Sequence, residues 1–550
     1  MSKKIVIVGG VAGGATAAAR LRRLDESLEI VLLEQDGHVS YANCGLPYHI
    51  GGVIPEEKSL LVQTAQGLRN RYHVDVRTGS RVTGVDGAHK TVRVEAAGRE
   101  YEESYDVLLL SPGSEPVRAP VPGVDLPKVV TLRTIADTQR IRDLCSGGKV
   151  GQATVVGGGF IGLEMAENLR RLGVEVTLVE AAPHVMPPMD GDLSVLLEAE
   201  LEKHGVELVL GDGLHAIHEE GGSLLVETEK GYQVGADLVV LAVGVRPATA
   251  FLEGAGIDLG PRGHIIVDDQ LRTNLPDVYA VGDAIQVKDF VTGTIVAVPL
   301  AGPANKQGRV AADVICGRDS HYEAAQGTSI LKVFDLTGAC TGLNERTLKA
   351  LEIPYLKAVT HAPSHAGYYP GATPITCKLL FSHQGQILGC QMVGREGVDK
   401  RMDVVATAMR LDAHVTELAD LELSYAPPFS SAKDLVNVLG YMAEDLLNGT
   451  AKSVDWEEAL NRDYDRSVLL DVRTAREAEA GRVNGSVNIP VDELRGRMGE
   501  LDKDKKLYVY CGIGLRGYVA CRMLTQAGFD AVNVAGGYTS YTAQQMENKQ

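Results

Sequence analysis

The sequence has no closely spaced cysteine pair. Its eight cysteines are scattered, with no Cys-x-x-Cys among them, which speaks against structural zinc and a disulfide framework; no metal site is expected. Aromatic residues are sparse, with one Trp and seven Phe. No apolar run approaches the ~20 residues that a bilayer-spanning helix needs. Positive charge is in deficit, and the formal net charge of -18 argues against a general nucleic-acid binder while leaving room for a small basic pocket. The N-terminus runs into a strand, Ile5-Val6-Ile7-Val8, without a signal-peptide layout, so a cytoplasmic protein is expected. With 550 residues, several domains and large cores are expected.

Glycine is abundant, at 62 residues, and the pattern it makes is informative. After the first strand comes Gly9-Gly10-Val11-Ala12-Gly13-Gly14, a near match to G-x-G-x-x-G with Val11 at the middle glycine. A helix follows, then a strand over 30–33 ending in Glu34, about 20 residues beyond the loop. Such a turn lets backbone approach a pyrophosphate, which rests on the helix N-terminus, and the acid takes a ribose hydroxyl. The pattern returns complete at Gly157, Gly159 and Gly162, with Phe160 and Ile161 between them, and its strand ends in Glu180. An acid there repels a 2′-phosphate, and Ala181-Ala182 offers no arginine for one, so NADH is expected over NADPH at the second site. Two dinucleotide sites in one chain suggest a relay.

Between the two loops lies Val39-Ser40-Tyr41-Ala42-Asn43-Cys44-Gly45-Leu46-Pro47-Tyr48. Pro47 suits a first helical turn, and a thiol at a helix N-terminus is expected to have a depressed pKa and a reactive thiolate. The commoner fate of a cytosolic cysteine is that of a small buried hydrophobe. Near the other end, Cys511-Gly512-Ile513-Gly514-Leu515-Arg516 follows a predicted strand over 506–510 and precedes a predicted helix over 517–526. That layout aims backbone N–H groups into a cup around the Cys511 sulfur, with Arg516 at its edge.

These segments, with Asp106 to Gly113, Thr273 to Asp283, where a strand delivers Gly282-Asp283 to a loop, and Pro299 to Arg309, resemble the flavoprotein disulfide reductases with two dinucleotide-binding domains. The Ser40 to Tyr48 stretch resembles their single-cysteine branch, which includes coenzyme A-disulfide reductases, NADH oxidases and NADH peroxidases. In the two-cysteine reductases Cys-x4-Cys stands here, whereas five residues after Cys44 is His49. The resemblance implies tightly bound FAD on Gly9, Val11, Ala12, Gly13, Glu34, Asp283 and Ala301. It implies NADH on Gly157, Gly159, Phe160, Ile161, Gly162 and Glu180, and a redox-active Cys44. It also implies coenzyme A as bound ligand or substrate, contacted by Thr16, Arg20, Arg23, Ser40, Asn43, Arg71 and Lys433. Arg20 and Arg23, three apart on one helix, share a face that suits phosphates.

Residues 327–447 resemble the dimerisation domain of that family. In the homodimer it implies, Tyr425 and Tyr368 enter the partner's active site, Tyr368 being preferred over Tyr369. After a linker at 448–455, residues 456–550 resemble the rhodanese sulfurtransferases, through Asp471-Val472-Arg473, Glu477, Gly485 to Pro490 and the Cys511 loop. Four residues separate Cys511 from Arg516, one fewer than in the Cys-x5-Arg of protein tyrosine phosphatases, which makes a smaller cup suited to sulfur.

The expected fold is α/β: an FAD domain over 1–148 and 272–326, an NAD domain over 149–271, an α+β dimerisation domain and a rhodanese domain. The expected function is NADH-driven reduction of coenzyme A persulfide or polysulfide, and of coenzyme A disulfide. Cys511 and Arg516 would handle sulfane sulfur. The alternatives are an NADH oxidase or peroxidase cycling through a Cys44 sulfenic acid, a plain coenzyme A-disulfide reductase, and a flavin-containing sensor.

Overall fold

A computed structural model describes residues 2–547. The chain divides into two compact units. One holds residues up to 181 and 205–327; the other holds 182–204 and everything from 328 on.

The first unit contains two five-stranded parallel sheets. The N-terminal sheet runs in the order Val278–Ala280, Val107–Leu110, Lys4–Val8, Glu29–Leu33, Asp75–Arg77. Its central strand is buried on both faces, which is why it reads as an unbroken apolar run rather than an alternation. The second sheet runs Val206–Leu210, Glu175–Glu180, Gln152–Val156, Leu238–Leu241, Val129–Thr131. In both, the first crossover is a glycine turn followed by a helix, Ala12–Leu24 in one and Phe160–Arg171 in the other. Two separate three-stranded antiparallel sheets, over residues 80–104 and 214–236, belong to the same unit.

The helix Ala12–Leu24 presents Ala15, Ala17 and Ala18 as a smooth buried face, and its last turn is anchored by Arg22. This side chain is 5% exposed. Its guanidinium donates to the carbonyls of Tyr72, Glu26, Leu28 and His73 at 2.7–3.1 Å. Arg22 therefore belongs to the packing of the domain and not to a solvated basic face.

In the second unit an antiparallel sheet runs Ser329–Val333, Leu336–Gly342, Ile387–Gly394, Pro374–Phe381, Leu356–Pro363. Helices Val398–Arg410 and Leu435–Leu447 belong to the same unit. Segment 182–204, which the sequence places between two strands of the second nucleotide domain, clusters here. Lys378, 1% exposed, reaches Asp190 at 3.2 Å, Asp192 at 2.6 Å and Glu345 at 2.6 Å. A buried cation is tolerated only with such partners.

The C-terminal domain is a parallel sheet in the order Ser453–Val454, Ala531–Val534, Lys506–Tyr510, Ser467–Asp471, Ser486–Asn488. The Asp471-Val472-Arg473 stretch forms its buried ion pair, 2.7 Å long. The Tyr510 hydroxyl donates to Asp471 at 2.8 Å, and Arg473 donates to the Gly481 carbonyl at 2.7 Å. These bonds tie three loops together beneath the Cys511 cup. Among the described residues, no helix is long and apolar enough to cross a membrane.

Candidate active site

The two glycine turns are built alike. At Gly14 a Cβ would lie 1.9 Å from the Gly9 carbonyl oxygen, and at Gly162 it would lie 1.8 Å from that of Gly157. Nothing larger than glycine lets the helix start so close to the strand end. Val11 and Gly159 occupy the matching N-cap positions, and the space a Cβ would take at Gly159 is open. The strand-end acids do the same local work. Glu34 accepts from the Gly10 N–H at 2.8 Å and from the Asp36 N–H at 2.9 Å, and Glu180 accepts from the Gly158 N–H at 2.6 Å. Burial pushes the Glu34 carboxyl above the usual carboxylate range.

A cleft of about 900 Å³ opens beside the first turn. Gly9, Val11, Ala12, Gly13, Glu34, Asp283 and Ala301 line it, and so do Thr16, Arg23, Ser40, Asn43 and Cys44. The cysteine loop is tied to the glycine turn by the Ser40 N–H, which donates to the Gly10 carbonyl at 2.8 Å. Ser40 takes a left-handed conformation, φ 47°. Thr16 donates to Asn305 at 2.5 Å.

The other candidate contacts lie differently. Arg20 is half-buried and held by Asp313, with N–O distances of 2.9 and 2.7 Å, so the two arginines of that face are not equivalent: Arg23 is exposed on the cleft. Arg71 is exposed at the end of helix Ala65–Tyr72, outside the cleft lining. Lys433 is exposed in the second unit. There, Tyr368 and Tyr425, 75% and 48% exposed, meet hydroxyl to hydroxyl at 2.9 Å. Tyr369 instead packs edge-on against His365.

The environment of Cys44 differs from the expected one. It sits in a 3-10 turn, Asn43–Gly45, ahead of a helix of five residues, Leu46–Ile50. So short a helix carries little dipole. The sulfur is exposed on its open side, but protein crowds it elsewhere. That crowding, then the nearby Glu164 carboxylate, raises its pKa, and Arg133 opposes the rise. Glu164 accepts from the Tyr48 hydroxyl at 3.1 Å, and its burial pushes it up to about 7. The thiolate is not prepared by the protein scaffold alone.

Arg133 is the residue that sequence reasoning missed. It donates to the Ser114 carbonyl at 3.1 Å and to Asp283 at 3.3 Å. With the Asn43 amide turned to satisfy its neighbours, it also donates to Asn43 at 3.3 Å. One cation thus joins the Asp283 loop to the cysteine turn. The only local signal was the capping box of Thr134 and Asp137 directly after it. His49, where a second cysteine would stand, is 2% exposed; it bonds to the Ile54 carbonyl at 2.6 Å and to Arg142 at 2.5 Å.

The Cys511 cup is more complete. The sulfur is buried, 0% exposed, and accepts from the Gly514 N–H at 3.1 Å. Gly514, φ 105°, caps helix Leu515–Gln526. That helix starts two residues before the predicted 517, because this turn aims the N–H groups inward. Arg516 follows in the same loop and is gripped by Glu477 at 2.7 and 2.6 Å.

Known proteins place the chain. Residues 3–308 match the pyridine nucleotide-disulphide oxidoreductase model, 328–435 the dimerisation domain of those enzymes, and 454–544 the rhodanese-like domain. The chain belongs to the pyridine nucleotide-disulphide oxidoreductases. It is 36% identical over 448 residues, 81% of its length, to the whole coenzyme A disulfide reductase of Staphylococcus haemolyticus. The reduced Bacillus anthracis CoADR-RHD superposes with a TM-score of 0.97 at 49% identity, covering 99% of this chain and 98% of that one. An NAD-dependent persulfide reductase from A. fulgidus superposes at 0.91 and 34% identity, over 98% and 100%.

Family membership makes the chain an oxidoreductase with FAD and a nicotinamide dinucleotide, joined to a domain for self-association and a rhodanese domain. The residues present fit those cofactors. Both glycine turns leave backbone bare at a helix start, and the first opens on a cleft large enough for a dinucleotide.

Proposed function

We propose that this oxidoreductase uses NADH to reduce coenzyme A persulfide, polysulfide and coenzyme A disulfide, releasing sulfide or free coenzyme A. The observation that carries the reading is Cys44, exposed on the cleft beside the FAD-type glycine turn, on the same chain as a second, cupped thiol at Cys511. In this reading residues 1–148 with 272–326 hold FAD, 149–271 NADH, 327–447 the dimer contact, 448–455 the linker and 456–550 the rhodanese fold. Glu180 favours NADH by repelling a 2′-phosphate.

Bound NADH and FAD would together supply two electrons, delivered as one hydride, to reduce the sulfur bonded to Cys44. The Cys44 thiolate attacks one sulfur of coenzyme A persulfide. Attack on the inner sulfur gives the Cys44–coenzyme A disulfide and expels HS⁻; attack on the outer sulfur gives a Cys44 persulfide and expels the coenzyme A thiolate. Arg23, on the open side of the cleft, suits the coenzyme A phosphates, with Thr16, Ser40 and Asn43 along the arm; Arg20, already paired with Asp313, and Arg71, outside the cleft lining, are weaker candidates. Tyr425 and Tyr368 of a partner subunit would donate a proton to the leaving sulfur. Cys511, assisted by Arg516, takes sulfane sulfur from a donor and passes it to coenzyme A or to Cys44.

The test is anaerobic NADH oxidation with coenzyme A disulfide, coenzyme A persulfide and polysulfide as acceptors. Turnover with the persulfide, lost in Cys44→Ser, is expected. NADH consumption that requires only oxygen, with no response to any sulfur compound, would favour an oxidase instead.

A further inference from the structure

The sulfur cup carries one charged residue in its loop, and that charge is cancelled. Between Cys511 and Gly517 only Arg516 is ionised. Both of its terminal nitrogens face the two oxygens of Glu477, at 2.7 and 2.6 Å. The Arg516 pair holds the Glu477 carboxyl down, to about 2, so it stays ionised. Glu477 is itself fixed by a reciprocal cap. It accepts from the Thr474 N–H at 3.0 Å and hydroxyl at 2.7 Å, and its own N–H donates to Thr474 at 3.3 Å. It is therefore not free to swing away when a donor arrives.

The next cation beneath the cup, Arg473, is buried on Asp471. Around the buried sulfur, the lip is apolar: Leu515 is 66% and Ile513 43% exposed. Exposed branched side chains on a catalytic loop cost solubility and suit an apolar visitor. A compact dianion such as thiosulfate would have to shed its hydration against this lip and meet Glu477 beside the one cation of the loop. Desolvating such a charge without a partner is unfavourable. A persulfide on a carbon chain places its methylenes on Ile513 and Leu515 and presents at most one charge to the Gly514 N–H.

We propose that the Cys511 cup selects sulfane sulfur borne on an organic thiol and rejects thiosulfate, with Glu477 and the Ile513–Leu515 lip as its specificity determinants. The inference rests on Cys511 being the sulfur acceptor. The step is a transfer without net oxidation. The Cys511 thiolate attacks the outer sulfur of R–S–SH, the S–S bond breaks, its electron pair leaves on R–S⁻, and Cys511–S–SH remains. Cyanide then removes that sulfur as thiocyanate and restores the thiolate.

The test is thiocyanate formation by the full-length protein without NADH, with glutathione persulfide or thiosulfate as donor. Wild type should show a kcat/KM at least about 100-fold higher for the persulfide, the scale of one poorly compensated charge. Glu477→Gln keeps a residue able to complete the cap but removes the charge. It should shift the thiosulfate-to-persulfide ratio about tenfold toward thiosulfate. Leu515→Lys, on the exposed lip and away from the cap, should shift it in the same direction. Equal use of both donors by wild type, or an unchanged ratio in both variants, would overturn the proposal. Cys511→Ser separates the two readings: transfer that survives it removes Cys511 as the acceptor, whatever the donor preference.

Discussion

Two cysteines of this chain each stand between a strand and a helix, and they are prepared in opposite ways. Cys511 is enclosed, receives a backbone N–H and shares its loop with an arginine paired to Glu477. Cys44 is exposed, precedes a helix of five residues, and is raised by crowding and by Glu164. The difference teaches that a cysteine before a helix is not by itself an activated nucleophile. Backbone supplies a hydrogen bond to the Cys511 sulfur, whereas Cys44 depends on side chains from distant segments and on what fills its cleft.

Removing each thiol should sharpen the contrast most. Cys44→Ser should reduce NADH-driven sulfide release by about 1000-fold or more, while a Cys511 persulfide still forms. Cys511→Ser should do the reverse: donor-derived sulfur is no longer accepted, and preformed coenzyme A persulfide is still reduced. Steady-state sulfide release and intact-protein mass read both.

The unit carrying Cys511 also has a titratable seam. His361 bonds Thr376 at 2.9 Å and Ser540 at 3.1 Å, and burial lowers its pKa to about 4. Its folded pKa lies below the unfolded value, so the unfolded chain binds the extra proton first. Its contribution is present above pH ~6.5 and is lost as pH falls toward 4, on the order of 3 kcal/mol. Thermal unfolding from pH 7 to 4 should show this slope, flattened in His361→Leu. An unchanged slope would mean that His361 is not the group responsible.

Gly514 tests the backbone half of the contrast. Its φ of 105° is strained for any other residue, and a Cβ there meets nothing closer than 3.8 Å. Gly514→Ala should therefore lower sulfur transfer about tenfold through conformation alone. Reduction at Cys44 should not change. The smallest effects belong to the neighbours of Cys44. In the pH profile of its alkylation, Glu164→Gln should move the midpoint down and Arg133→Ala should move it up, each by up to about one pH unit. Shifts of the opposite sign would reverse the assignment.

Much of this was legible in sequence because it is local. Each glycine turn, its strand-end acid and the Cys511 loop lie within one stretch of chain, where spacing dictates geometry. The contacts that set Cys44 apart are not local. Arg133 lies 90 residues beyond Asn43 and 150 before Asp283 in the numbering, yet bonds both. Asp313 holds Arg20 from 293 residues away, so a face that looked doubly basic offers one open guanidinium. The depressed thiol pKa expected at Cys44 failed for a related reason. Helix length and the half-buried Glu164 are properties of packing, not of the motif.

Whether one sulfur atom visits both thiols is best tested by single-turnover labelling. Full-length protein is loaded anaerobically with a labelled alkyl persulfide, its two cysteines are mapped by mass, and NADH is added with coenzyme A present. The expected result is label on Cys511 before NADH and labelled sulfide afterward, one per NADH, with Cys44→Ser retaining its label and releasing none. Sulfide release from Cys44→Ser at the wild-type rate would contradict it.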